Sequence, residues 1–195
     1  MKASKKKLTN KEKTPQIISS SDTVNGIAWL ESLDEHHFRD EILKELFHRM
    51  RGEETIVDFI YTHGRFEKGG LSSRFIGVQA KSKKITRQSS DSRSDSAINV
   101  KQQCESAYDH KFNWNGNEIR LDVVELWMSK HITEDAESEF NAPLARHKVA
   151  VKKSSEIFSL IERYCPRIIA KIPGLAEAGY IKNRECWGRP SHIYI

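Results

Sequence analysis

Apolar positions recur with clear periods over most of the chain, but residues 1–24 are polar and carry none, which predicts a disordered tail. Between Glu35 and Met50, the residues Phe38, Ile42, Leu43, Leu46, Phe47 and Met50 fall within half of a wheel drawn at ~100° per residue. This predicts an amphipathic helix with Asp34 as its cap and Gly52 as its stop. On that wheel Arg39 lies near the middle of the apolar half, and Glu41 and Glu45 lie at its edge.

Shorter apolar runs follow. Thr55–Tyr61 reads as a strand containing one carboxylate, Asp58, and the glycine-rich run 64–70 as a hairpin turn. Arg74–Lys81 reads as the second strand, on which Gln79 and Lys81 share one face. Residues 82–97 are rich in Ser, Lys and Arg and predict a mobile loop leading into a helix through Tyr108. A strand over 119–128, a helix from Ile132 with Thr133 as cap, and a strand over 148–151 come next. A helix over 156–164 follows, capped by Ser154 or Ser155 and stopped before Pro166. The last segment, from Leu175, reads as a helix end and a hairpin. Strands alternating with helices predict an α/β domain with a central sheet.

The chain has 195 residues, 37% hydrophobic and 30% charged, enough for one domain with a real core and no need of a disulfide or structural metal. The expected division is a basic tail over 1–24, one domain over 25–170 and a C-terminal hairpin extension over 171–195. The net charge is +5, and residues 1–14 supply all of it, with six lysines against Glu12. The remaining 26 basic and 26 acidic residues cancel, so any basic groove must come from local clustering. No run has the length of a membrane span, and the N-terminus lacks a signal-peptide core, so a cytoplasmic protein without membrane partners is expected. Cys104, Cys165 and Cys186 have no zinc-like spacing and read as reduced thiols. There is no phosphate-binding GxxxxGK[ST] loop.

The informative constellation is Asp58, twenty intervening residues, then Gln79-x-Lys81. Consecutive strands set a carboxylate against an amide oxygen and an ammonium. Asp58 and Gln79 offer hard oxygen ligands for Mg²⁺, with Mn²⁺ as a substitute. Such an ion lowers the pKa of a bound water and neutralises phosphate charge. Lys81 can orient that water and offset charge on the pentavalent phosphorus. The basic run Lys81, Lys83, Lys84, Arg87 and Arg93 adjoins these residues and can contact phosphates.

In order and spacing these pieces resemble the Mrr-type, restriction-endonuclease-like branch of the PD-(D/E)xK nucleases. The matching segments are Leu33–Phe38 at the opening of the first helix, Val57–Ile60, and Gly77–Lys81, where Gln79 replaces the acidic residue often found before x-Lys. Leu126–Ala136 looks like the strand–turn–helix after the catalytic core, and residues 147–166 resemble a segment of nuclease domains attached to bacterial defence NTPases. The resemblance covers roughly residues 33–170 and implies a central mixed sheet flanked by helices and metal-dependent DNA cleavage. It also implies a bacterial or phage defence role, with a defence NTPase or other activating protein, or a second copy of the chain, as partner. RNA stays open as a substrate, as does a catalytically inactive nucleic-acid-binding or adaptor protein on the same fold. One departure stands out: many members carry Glu directly after the aromatic of the first helix, where this chain has Arg39. An active site then needs a second carboxylate, and the wheel selects Glu45, ~20° from Phe38, ahead of Glu41.

Overall fold

The computed structural model describes residues 20–50, 53–55, 58–67, 70–88, 94–141, 149–173 and 175. Helix α1 (Ser20–Ser32) is followed by a π-helical stretch, His37–Leu43, that runs on into α2 (Lys44–Arg49). Strands β1 (Glu53–Thr55), β2 (Asp58–Glu67) and β3 (Gly70–Lys81) come next, then the short β4 (Lys84–Thr86) and β5 (Ser94–Ser96) and helix α3 (Ala97–Asp109). The small hairpin β6 (Phe112–Trp114) and β7 (Asn117–Ile119) precedes β8 (Val123–Met128). Helix α4 (Glu134–Phe140), β9 (Val149–Lys152), α5 (Ser154–Tyr164) and α6 (Pro166–Ile169) complete the fold.

The central sheet has five strands in the order β1-β2-β3-β8-β9. Its first three strands are antiparallel, and β3, β8 and β9 run parallel. Each parallel step needs a crossover; α3 lies on the first and α4 on the second. Alternation along the strands splits the core in two. Phe59, Tyr61, Val78, Ala80 and Trp127 pack with α1, the π-helical stretch, α2, α5 and α6. Ile60, Val124, Leu126 and Met128 pack with α3 and α4 on the other face. The chain is thus a mixed α/β protein with a central mixed sheet flanked by helices, the predicted class. Among the described residues, no helix is long and apolar enough to cross a membrane.

Several local expectations need correction. Ser20–Ser32 is a helix although its first residues fall in the polar run assigned to the tail; residues 1–19 lie outside the described residues. Its burial comes from distant partners: Leu30 is fully buried, Ser154 Oγ donates to Glu31 at 2.8 Å, and Gly26 meets the Phe158 ring. The 82–97 segment is not all loop. Ile85 is fully buried, donates its N–H to the His131 carbonyl and accepts the Thr133 N–H, which ties β4 to the 131–133 segment, and β4 also pairs with β5. One apolar residue in a polar run has no period to reveal it.

The strand expected over 119–128 is broken. Residues 117–119 pair back to β6 through a two-residue turn, Asn115-Gly116, with φ of +49° and +81°, and only Val123–Met128 joins the sheet. That Asn-Gly pair is a strong hairpin signal. Asp34 caps as predicted, accepting the His37 N–H at 2.9 Å. The cap position of α5 is Lys153 rather than Ser154 or Ser155; the Glu156 carboxylate accepts the Lys153 N–H at 3.1 Å. Gly52, Arg93, Cys186 and, apart from 171–173 and 175, the proposed C-terminal hairpin lie outside the described residues.

Candidate active site

The site grows from an irregularity at the start of β2. Asp58 has φ of +58°, a left-handed conformation that Asp tolerates better than most residues, and Asp58 and Phe59 both stand opposite Val78 in a β-bulge. Strand β3 continues past Val78 to Lys81, beyond the end of β2. Among the described residues, the Ala80 N–H therefore has no partner strand on that side. The Asp58 carboxylate replaces it: Oδ2 accepts the Ala80 N–H at 2.7 Å and the Gln79 Nε2 at 2.8 Å.

The three residues of the sequence motif are thus brought together. With Nε2 committed to Asp58, Gln79 Oε1 has no hydrogen bond among the described residues. Lys81 ends β3 opposite Met128 and is half-buried. Burial pushes the Asp58 carboxyl above its ordinary pKa; the Ala80 N–H and the positive charges of Arg39 and Lys81 pull it back only in part. Cys104, on α3, is fully buried and feels the charges of both Lys81 and Asp58. Burial lifts its thiol to about 12, which leaves it unreactive.

The helix end contributes residues that the wheel did not select. Arg39 Nε and Nη2 donate to the two Asp40 oxygens at 2.7 and 3.2 Å, and Arg39 Nη1 lies 4.0 Å from Asp58 Oδ1. The negative charge of Glu35 acts on both Asp58 and Arg39. Glu45, the expected second carboxylate, is not brought to Asp58. It accepts from Arg49 Nε at 3.0 Å, and its charge acts on Cys165. Glu41 Oε1 lies 3.7 Å from His37 Nε2. The physical reason is the π-helical stretch. Lys44 donates its N–H to Arg39, five residues back, so each turn holds more residues than the wheel assumes and later side chains rotate away. Glu35 lies ahead of that stretch, one turn before Arg39. Its i,i+4 spacing to Arg39 was the legible signal for it.

The basic residues divide. Lys83 and Lys84 are exposed directly after Lys81. Arg87 Nε is bonded to Glu139 on α4 at 2.8 Å, so part of its donor capacity is used. Among the described residues, no group of three His, Cys, Asp or Glu side chains is placed to hold a metal. The donors present still suit Mg²⁺, which keeps several waters and takes one or two carboxylates plus substrate phosphate. Among the described residues Asp58 Oδ1 accepts no hydrogen bond, and Gln79 Oε1 belongs to the amide that is bonded to the other oxygen, Oδ2.

The chain is similar to two restriction endonucleases of known structure. One is the DNA modification-dependent restriction endonuclease AspBHI, at 12% identity and a TM-score of 0.48, over 90% of this chain and 45% of that one. The other is the MspJI restriction endonuclease in complex with a 27-mer oligonucleotide, at 14% identity and a TM-score of 0.44, over 85% and 39%. The chain spans less than half the length of either protein. No protein-family model and no curated protein matches the sequence.

Proposed function

We propose that this chain is a metal-dependent endonuclease of the Mrr-type PD-(D/E)xK branch that hydrolyses DNA phosphodiester bonds in a restriction-like defence role. The observation that carries the reading is the bulged, left-handed Asp58, whose carboxylate is bonded to Gln79 and feels the charge of Lys81. A strand end that needed only a hydrogen-bond acceptor for Ala80 would not require a half-buried carboxylate under the charge of two cations.

Asp58 Oδ1 and Gln79 Oε1 would hold Mg²⁺, and the negative charge of Glu35, which acts on Asp58, would add to the attraction for the ion. The bound ion would supply charge neutralisation at the phosphate and activation of the attacking water. Lys81 stabilises negative charge that grows on the phosphate oxygens, and its ammonium orients the nucleophile. The Ala80 N–H fixes Asp58 Oδ2, so that the carboxylate presents its other oxygen in one direction. Lys83 and Lys84 extend the positive surface along which a phosphate backbone would lie.

The test is incubation with supercoiled plasmid in Mg²⁺ or Mn²⁺ against EDTA, repeated with single-stranded RNA and with cell extract added. Metal-dependent nicking that Lys81→Ala abolishes is the expected result. Equal nicking by wild type and Lys81→Ala overturns the reading. Binding without metal-dependent nicking, even with extract, identifies a binding or adaptor protein instead.

A further inference from the structure

The guanidinium of Arg39 is held by Asp40 and only approached by Asp58. Its Nε and Nη2 are taken up in a two-point contact with the Asp40 carboxylate, at 2.7 and 3.2 Å. That contact fixes the plane of the group. Nη1 is left at 4.0 Å from Asp58 Oδ1, beyond hydrogen-bond reach, so Asp58 does not consume it. A guanidinium has five N–H donors, and this arrangement leaves several of them unused. The side chain is 40% exposed, so the group is open to solvent while its charge stays beside the carboxylate.

Three features point the same way. The residue is an arginine, whose planar fork suits phosphate oxygens. It is preoriented by a neighbour on its own helix, so little rotamer freedom is lost on binding. On the π-helical stretch it stands half-buried beside Asp58 rather than in the core where an ideal wheel places it. We propose that Arg39, positioned by Asp40, binds a phosphate of the nucleic-acid backbone beside Asp58 and supplies there the positive charge that orients the chain for cleavage. The inference rests on the nuclease reading for its substrate, but its readout is binding rather than cutting.

The test uses the full chain in EDTA, where no cleavage occurs, with a short fluorescein-labelled DNA duplex and anisotropy over a salt series. Arg39→Ala is expected to weaken binding about tenfold and to reduce the slope of log K against log salt by about one, the loss of one phosphate contact. Asp40→Asn is expected to weaken binding by a smaller factor with the slope unchanged, the mark of a residue that positions another. Arg39→Lys keeps the slope and loses part of the affinity, because the charge stays and the fork does not. Arg39→Gln serves the same purpose as Arg39→Ala if the latter melts low. Unchanged affinity and slope in Arg39→Ala or Arg39→Gln overturns the proposal. So does unchanged affinity accompanied by a lowered Mg²⁺ requirement for nicking, which would mark Arg39 as a rival of the cation. Failure of the nuclease reading looks different: wild type then shows no Lys81-dependent nicking, while the salt slope of Arg39→Ala still reports the phosphate contact.

Discussion

The Asp58 carboxylate accepts the backbone N–H of Ala80 at 2.7 Å, and this bond ties the end of one strand to a neighbour that outruns it. It also orients the carboxylate whose second oxygen faces Arg39. The same residue therefore serves the sheet and the proposed chemistry, and the two roles respond differently to substitution.

Asp58→Asn keeps an acceptor for Ala80 and tolerates the positive φ, but lacks the charge. Burial raises the folded pKa of Asp58 above its unfolded value. A raised carboxyl pKa contributes stability only at low pH, and that contribution is lost as pH rises through the folded value. The ionised wild-type group is therefore a cost at pH 7. Thermal melting of Asp58→Asn at pH 7 should match or exceed wild type, and the difference should close as pH falls through the folded pKa. Metal-dependent nicking should vanish. A lower melting temperature at pH 7 would show that the carboxylate is needed for the fold.

Asp58→Ala loses more. It forfeits the Ala80 bond and places a Cβ residue without polar compensation in the left-handed region, which costs about 1–2 kcal/mol. Urea denaturation should show at least that loss against Asp58→Asn, so Asn is the cleaner variant for judging chemistry.

Glu45→Gln removes only an exposed i,i+4 pair with Arg49, worth about 0.3–0.5 kcal/mol. Nicking should stay within twofold of wild type. Glu35→Gln should slow nicking several-fold at limiting Mg²⁺, with recovery as Mg²⁺ is raised, because its charge acts at Asp58. The opposite ranking of the two variants in one Mg²⁺ titration would restore Glu45 to the site.

Tyr61→Phe tests the other face of the sheet. The Tyr61 hydroxyl and the Trp127 indole N–H both donate to the buried Glu125 Oε2, at 2.9 and 2.8 Å. Burial, together with the adjacent Glu125 charge, holds the phenol protonated far above its ordinary range. Loss of one hydrogen bond to a charged group should cost about 1.5–3 kcal/mol by chemical denaturation, with nicking at wild-type rate.

Gly26→Ala tests the contact between α1 and α5. A Cβ at this position would overlap the Phe158 ring, which is 1% exposed. Overpacking of this kind costs about 1–3 kcal/mol. Calorimetry should show a lowered melting temperature, at about 2–4 °C for each kcal/mol. Adding Phe158→Leu should recover part of it; no recovery would place the strain elsewhere.

The amino-acid sequence by itself determined what local periodicity and residue chemistry can encode. The apolar face of the helix after Asp34, the cap itself, the α/β alternation and the shared strand face of Gln79 and Lys81 all follow from nearest neighbours and fixed repeats. Asp58 and Gln79-x-Lys81 were legible for the same reason, since they lie on two adjoining strands, although the bulge that turns Asp58 onto Gln79 was not. Glu45 was misplaced because a wheel assumes a constant turn, and the π-helical stretch at His37–Leu43 changes that turn ahead of it. The helix at Ser20–Ser32 and the burial of Ile85 were hidden because their stabilising partners, Phe158 and Glu31 with Ser154 in one case and His131 and Thr133 in the other, are far along the chain or on another element. Only the tertiary structure decided which carboxylate and which cation stand beside Asp58. The bulge and the widened helical turn are changes of register, and packing between distant segments selects them.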